Sequence, residues 1–182
     1  MKLILDISLS FFFLIFFSPI IIVVSFLIIL IDGFPILYIS KRVGKKNKIF
    51  NIYKFRTMKL NTPNDEITFL GKFLRRLSID EFPQLLNILI GDMSIVGPRP
   101  LPAHILKKIS KKNKILRSSI KPGITGYSQI KYRGRKRTLK EKVNLDIIYV
   151  KNYNIFLYIY IIFLTPIVLI KRFFFNKKGT TL

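Results

Sequence analysis

An unbroken apolar stretch opens the chain, running from Leu3 to Ile31 with Asp6 as its only charged residue. As one straight helix it would reach about 43 Å and cross a hydrocarbon core of about 30 Å. Ser18 and Pro19 interrupt it, because proline removes a backbone donor and serine can bond a carbonyl one turn back. The stretch therefore predicts either a transmembrane anchor or a re-entrant helix that dips in and returns to the same side.

Two short segments after this stretch have the composition and partial alternation of strands. Ile36–Ser40 is the first and Lys48–Met58 is the second, with Lys54 and Arg56 on one face of the second. Gly44–Asn47 lies between them and is typical of a turn. This part of the chain predicts a β-hairpin.

Helical spacing of apolar residues dominates the rest of the chain. The predicted elements are helices over Ile67–Leu77, Asp80–Ile90, Pro102–Ser110 and Thr138–Asn152, a Pro-rich loop over Val96–Pro102 and a short strand over Gly126–Tyr132. Tyr153–Ile170 is a second apolar run, rich in the Tyr and Phe that favour the membrane interface. It either lies in the interface or inserts.

The chain also has a large excess of basic over acidic residues. The 182 residues include 32 Lys and Arg against 9 Asp and Glu, for a net charge of +23. Such a chain suits an anionic membrane surface, whereas nucleic acid is disfavoured because it would leave the apolar runs without a role. Basic residues crowd the flank of the first apolar segment and predict that this flank is cytoplasmic. They are Lys41, Arg42, Lys45, Lys46, Lys48, Lys54, Arg56 and Lys59.

Residue usage narrows the possible chemistry. The chain has no cysteine, so disulfides, thiolate nucleophiles and Cys-based zinc sites are excluded. Its one histidine, His104, argues against His-pair metal sites and is interpreted as a surface or packing residue. Among the few acidic residues, Asp146 is interpreted as an ion-pair partner within the protein and Asp92 as a cap or turn residue.

The adjacent carboxylates Asp80 and Glu81 are the main candidates for catalysis. Ser78 and Glu81 fit a capping box, which would merely start a helix. Pro83 is tolerated only in a first turn, so both carboxylates are predicted at a helix N-terminus, where free N–H groups bind anions. With Arg75 one turn upstream, an ionised carboxylate there has the chemistry of a nucleophile at phosphorus. Mg²⁺ suits the gathered charge, since it takes one or two carboxylates plus diphosphate oxygens.

A second candidate group is cationic. Pro98 and Pro100 stiffen the chain around Arg99, which presents its guanidinium at low entropic cost. That geometry suits a bidentate grip on phosphate or a flat grip on a base, and a rigid loop with a solvated arginine is the simpler alternative. Lys54 and Arg56 would likewise hold phosphate or be solvated.

Together these stretches resemble the bacterial sugar transferase family, the monotopic phosphoglycosyl transferases. The resemblance covers nearly the whole chain in order, and its motifs are specific only in combination. They are Ser18-Pro19, Tyr53–Met58, Leu74–Leu85, Gly91–Pro100, Lys121–Gly126 and Leu145–Lys151.

The resemblance implies an α+β fold, mostly α, in a monotopic membrane protein at the inner (cytoplasmic) membrane. Residues 1–32 would form the re-entrant membrane helix, with Ser18 and Pro19 making the break and both chain ends cytoplasmic. Residues 33–152 would form the cytoplasmic catalytic domain, with a small β-hairpin and interfacial amphipathic helices. Residues 153–182 would form a C-terminal membrane-associated helix and a basic tail.

The resemblance also implies a reaction. The chain would move a sugar 1-phosphate from a UDP-sugar to polyprenyl (undecaprenyl) phosphate and release UMP, through a covalent intermediate on Asp80 and with Mg²⁺. Glu81 would complete the dyad and assist the metal or the proton transfers, Arg75 would bind near the phosphates, Arg99 would contact the nucleotide and Asp146 would support the site. This reaction would be the first membrane step of surface glycan or glycoprotein assembly.

One departure from the family pattern and one rival function stay open. After the Pro-Gly-Ile-Thr-Gly turn the family usually reads Trp-Ala-Gln-Val-Asn-Gly-Arg, whereas this chain reads Tyr-Ser-Gln-Ile-Lys-Tyr-Arg over Tyr127–Arg133. Arg133 and Arg135 are therefore both candidates for the usual arginine. The rival function is a non-catalytic basic membrane protein that binds anionic lipid or an acidic partner. It explains the charge and the apolar runs but not an acid pair within a basic segment.

Overall fold

A computed structural model describes residues 2–60, 62, 66–131 and 138–175. The helices are α1 (Lys2–Phe16), α2 (Ser18–Asp32), α3 (Phe69–Leu77), α4 (Gln84–Ile90), α5 (Ala103–Leu106), α6 (Lys111–Arg117), α7 (Tyr127–Ile130), α8 (Leu139–Lys151) and α9 (Ile155–Phe175). The strands are β1 (Leu37–Val43), β2 (Ile49–Phe55), β3 (Ser94–Val96) and β4 (Gly123–Thr125). The predicted mixed, mostly helical fold is confirmed.

The chain packs as two compact units. The first comprises residues 1–40 and 51–91, and the second comprises residues 41–50 and 92–182. These units describe packing, so the predicted division into membrane segments and a catalytic domain stays a prediction.

The predicted break in the first apolar segment is confirmed. α1 and α2 meet at an angle of 60°, and Pro19 lies in the first turn of α2, where its missing N–H costs nothing. The Ser18 hydroxyl donates to the Ile15 carbonyl at 2.7 Å. Among the described residues no single helix is long and apolar enough to cross a membrane, and α1 with α2 passes that test only as a bent pair.

The core of the first unit joins α2 to α3 and to the end of β2. Val24 and Ile28 of α2 are buried against Phe55, Leu70 and Leu74. A glycine in α3 permits the close approach, because a Cβ on Gly71 would lie 2.2 Å from the Thr57 carbonyl oxygen. Thr68 caps α3 by accepting a hydrogen bond from the Gly71 amide at 2.9 Å. α3 is thereby fixed onto the chain just after β2.

The predicted hairpin is confirmed with shifted ends. β1 pairs with β2, and a 3₁₀ turn over Lys45–Asn47 joins them. β2 ends at Phe55 rather than at Met58, because the next residues turn to bond other segments. The Arg56 amide donates to the Ile36 carbonyl at 2.8 Å, and the Thr57 carbonyl accepts from the Thr68 amide at 3.1 Å.

The second unit contains a short parallel strand pair, β3 with β4, in the register Ser94↔Gly123 and Val96↔Thr125. The backbones lie so close that a Cβ on Gly123 would come within 2.0 Å of the Gly97 nitrogen. α8 begins at a capping box in which Thr138 and Glu141 bond each other's backbone amides. The predicted helix over Thr138–Asn152 is thus confirmed.

Three expectations about local structure are wrong. Gly126–Tyr132 is not a strand where it is described: β4 ends at Thr125 and α7 is helical. The predicted helix over Pro102–Ser110 is limited to α5. Ser78 forms no capping box, because it has a left-handed conformation (φ 59°) and ends α3 instead. Nothing in the apolar spacing signalled α6 or β3, since both are short.

Candidate active site

The acid pair Asp80–Glu81 lies in a one-turn 3₁₀ helix, Ile79–Glu81, between α3 and α4. The predicted position inside the first turn of one long helix is therefore wrong. Pro83 has no N–H to donate, and α4 begins only after it, at Gln84. The backbone amides here are also used locally: Glu81 donates to the Ser78 carbonyl at 3.2 Å and Phe82 to the Ile79 carbonyl at 3.0 Å. Two of the N–H groups expected to be free at this point are therefore engaged.

Lys54 supplies the charge that faces both carboxylates. Its Nζ lies 2.7 Å from Glu81 Oε1 and 3.9 Å from Asp80 Oδ2. The three side chains are partly buried, with exposures of 20% for Lys54, 11% for Asp80 and 15% for Glu81. At such exposure water screens the pair less than at a surface, so the ammonium offsets much of the repulsion between the adjacent carboxylates.

The same geometry tests whether Mg²⁺ fits. Both carboxylates lie beside one positive charge, the ammonium group of Lys54. Within the described residues no group of three or more His, Cys, Asp or Glu side chains could hold a metal. A divalent ion here would therefore take at most two protein carboxylates and leave its other positions to water or phosphate oxygens, which is the arrangement that Mg²⁺ favours. The carboxylate oxygens of Asp80 and Glu81 are ligands of the kind that Mg²⁺ takes.

Arg75 is oriented by the chain that follows β2. It lies in the last turn of α3, and its Nε donates to the Thr57 hydroxyl at 2.8 Å. One edge of the guanidinium is thus committed to orienting the side chain. Its predicted role near phosphate stays a prediction.

Arg56 has a different set of contacts from Lys54, although the two were expected on one strand face. Its side chain is buried, and its guanidinium donates to the carbonyls of Asp32 at 2.5 Å, Gly33 at 2.6 Å and Phe34 at 3.3 Å. The separation arises because β2 has already ended at Phe55. Arg56 therefore closes the C-terminal end of α2, and a contact with phosphate would compete with these bonds.

The second unit contains the other predicted site residues. Arg99 is partly exposed between the buried Pro98 and Pro100. Its carbonyl accepts a hydrogen bond from Nη2 of Arg117. Arg117 Nε also donates to Asp146 Oδ2 at 2.7 Å, and the two side chains are only 6% and 4% exposed. The predicted ion pair of Asp146 is confirmed.

Arg117 is a residue that sequence reasoning missed. The only available signal was indirect: residues 93–140 contain no Asp or Glu, so a buried cation in this stretch must reach a distant acid. Nothing in the local pattern distinguishes Arg117 from the neighbouring lysines of α6. Burial raises the pKa of the Asp146 carboxyl above its usual 3.8, while Arg117, Ser128 and Arg99 act to lower it.

Two further predictions concern other parts of the chain. Arg135, like its alternative Arg133, lies outside the described residues. Ser18 and Pro19 form the α1–α2 break, and Phe17 at that break contacts Phe82, with ring centroids 4.7 Å apart. The break is therefore linked by packing to the residue that follows the acid pair.

Comparison with known proteins gives a consistent result. The model of the "Bacterial sugar transferase" family matches residues 1–172. The "Uncharacterized sugar transferase EpsL" of Bacillus subtilis (strain 168) is 44% identical over 141 residues, which are 73% of this chain and 69% of that protein.

Larger relatives have names that state a reaction. The "UDP-N-acetylgalactosamine-undecaprenyl-phosphate N-acetylgalactosaminephosphotransferase" of Aeromonas hydrophila is 34% identical over 82% of this chain and 38% of its own length. The "UDP-glucose:undecaprenyl-phosphate glucose-1-phosphate transferase" of Escherichia coli (strain K12) is 36% identical over 88% of this chain and 38% of its own length. The chain thus spans well under half of these two relatives.

Proposed function

Because the chain belongs to the bacterial sugar transferase family, we propose that it transfers a sugar 1-phosphate from a UDP-sugar to polyprenyl (undecaprenyl) phosphate and releases UMP. The observation that carries the proposal is the partly buried acid pair Asp80–Glu81 facing Lys54. A carboxylate held ionised beside a cation is a nucleophile suited to phosphorus. The reactions named for the larger relatives support the choice of donor and acceptor.

In the first step a carboxylate oxygen of Asp80 attacks the phosphorus that bears the sugar. A new P–O bond forms to Asp80, the P–O bond to the bridging oxygen of the diphosphate breaks, and UMP leaves with that oxygen. The product is a covalent aspartyl phospho-sugar. Splitting a phosphoryl transfer in this way is nucleophilic catalysis, and it predicts that each substrate reacts in turn at the same carboxylate.

In the second step an oxygen of polyprenyl phosphate attacks the same phosphorus. Its bond to Asp80 breaks, the carboxylate is regenerated, and polyprenyl diphospho-sugar is released. Lys54 compensates the charge of both carboxylates in the two steps, and Glu81 completes the dyad and assists the metal or the proton transfers. Arg75 and Arg99 are assigned to the phosphates and the nucleotide of the donor. Mg²⁺, held by Asp80 and Glu81, would neutralise charge on the diphosphate.

The decisive experiment compares Asp80→Asn with wild type in detergent, with Mg²⁺ and a panel of UDP-sugars. Wild type should release UMP and form a covalent adduct with a radiolabelled sugar donor. Asp80→Asn keeps the size of the side chain but lacks the nucleophile, so we expect both signals to fall by about a thousandfold or more. Glu66→Gln is the matched control, because it makes the same carboxylate-to-amide change in an exposed ion pair with Lys59, and it should behave as wild type.

Two outcomes would count against the proposal. Full activity of Asp80→Asn would remove Asp80 as the nucleophile. A wild-type protein that releases no UMP from any donor, while binding anionic vesicles equally well with and without the acid pair, would favour the non-catalytic lipid-binding function.

The proposal places the protein at the inner face of the membrane, with α1 and α2 as a re-entrant helix. Each arm has 15 residues and is about 22 Å long, shorter than a hydrocarbon core of about 30 Å. The 60° bend between them supports a return to the same side. Because the chain has no cysteine, single Lys2→Cys and Phe34→Cys variants can be labelled from either face of sealed vesicles. Labelling of the two sites from opposite faces would exclude the re-entrant arrangement.

A further inference from the structure

Three carbonyl oxygens of the loop around Arg99 accept hydrogen bonds from other segments of the chain. Pro98 and Pro100 have no N–H, so the loop has lost two of the donors that would normally tie it down. The carbonyls of Pro98, Arg99 and Leu101 accept bonds from three separate segments. The donors are the Gly123 amide to Pro98 at 3.0 Å, the Val43 amide to Leu101 at 3.1 Å, and the Arg117 guanidinium to Arg99.

The bond to the Arg99 carbonyl differs from the other two because a side chain makes it. Arg117 lies at the end of α6 and is buried. Its Nε is committed to Asp146 Oδ2 at 2.7 Å, while Nη2 reaches the Arg99 carbonyl. One rigid guanidinium thus joins α6, α8 and the loop, and Asp146 fixes the direction in which the fork points.

We propose that Arg117 is a positioning residue, which acts through the main chain of Arg99 to hold the arginine that contacts the nucleotide of the UDP-sugar. The inference rests on the proposed function, because that function assigns Arg99 to the donor. Lysine cannot replace Arg117 in this role. Its ammonium is a single point of charge at the end of a shorter side chain, so it cannot serve both the Asp146 carboxylate and the Arg99 carbonyl in the geometry of a fork.

The test is a double-mutant cycle with Arg117→Lys and Arg99→Ala. We expect Arg117→Lys to lower kcat/KM for the UDP-sugar by about tenfold, the effect of losing one well-aligned bond. kcat/KM for polyprenyl phosphate should not change, since the second step does not use the nucleotide. In the Arg99→Ala background the same substitution should cost less than about twofold. Lys112→Arg is the control, because Lys112 lies on the same helix, α6, and its side chain is exposed.

A second measurement reads the loop itself without turnover. Amide hydrogen exchange of the peptide spanning residues 97–102, which carries the amides of Gly97, Arg99 and Leu101, should speed up in Arg117→Lys and not in Lys112→Arg. Should Arg117→Lys fail to fold, Arg117→Gln replaces it in both measurements. It removes the charge and the fork of the guanidinium, and we expect shifts in the same direction that again depend on Arg99.

The outcomes separate this inference from the function on which it rests. Equal losses with and without Arg99, or losses shared by both substrates, would make Arg117 a structural residue only and overturn the proposal. Unchanged exchange of the loop would overturn it as well. A wild-type protein that releases no UMP would refute the proposed function and the catalytic half of this inference, and the exchange data would still decide whether Arg117 holds the loop.

Discussion

Arg56→Met tests the finding that Arg56 closes the end of α2 rather than holding substrate. The arginine donates to the carbonyls of Asp32, Gly33 and Phe34, at the end of a helix where the dipole favours a cation. Methionine keeps much of the apolar volume but removes the charge and every donor. Three carbonyls then lose their partner at once.

The magnitude follows from those bonds. Hydrogen bonds to a charged group contribute about 1.5–3 kcal/mol each. Gly33 and Phe34 are partly or fully exposed, so water replaces part of what is lost there. We therefore expect Arg56→Met to lower the free energy of unfolding by about 3 kcal/mol. For a chain of this size that corresponds to a fall in Tm of about 6–12 °C.

The assay is thermal unfolding of the detergent-solubilised protein, followed by far-UV circular dichroism because the chain has no tryptophan. Arg56→Lys should recover less than half of the loss, since one ammonium replaces a three-way guanidinium contact. Lys59→Met is the control: Lys59 forms an ion pair with Glu66 whose side chains are 56% and 51% exposed, and its loss should leave Tm unchanged. A Tm within about 1 °C of wild type for Arg56→Met, together with a raised KM for the UDP-sugar, would refute the helix-closing role and favour phosphate binding.

Two further predictions concern packing and pH. Gly71→Ala would bring a Cβ to 2.2 Å from the Thr57 carbonyl oxygen, so α3 must shift and we expect a loss of about 2 kcal/mol in unfolding experiments; a Tm equal to that of wild type would contradict this close contact. Burial raises the pKa of Asp146 in the folded protein, so the stability linked to its neutral form is complete below its usual value of 3.8 and is lost as pH rises through the raised pKa. Asp146→Asn should not show this loss, and its Tm relative to wild type should increase between about pH 4 and pH 8; parallel curves would disprove the linkage.

The local features of the fold could be predicted from neighbouring residues. Ser18 and Pro19 break the first apolar segment because both act on the turn immediately before them. The hairpin between the first two strands and the helix over Thr138–Asn152 likewise follow from short-range patterns. The acid pair was identified in the same way, as two adjacent acidic residues in a basic segment.

The partners of those residues depended on the tertiary structure. Lys54 and Arg56 are two positions apart, yet one faces Glu81 and the other closes the end of α2. Alternation along a strand predicted that Lys54 and Arg56 share a face. That prediction was wrong because β2 ends at Phe55, between the two residues.

The contrast has one physical reason. Proline, serine and apolar periodicity act on the backbone within a turn or two, so the sequence by itself determined the helix break, the hairpin and the basic, apolar character of the chain. Asp146 was expected to form an ion pair, but the choice of Arg117 requires α6 and α8 to pack together over 29 residues of separation. Only the folded chain brings such distant charges within hydrogen-bonding distance, and burial then makes their pairing obligatory.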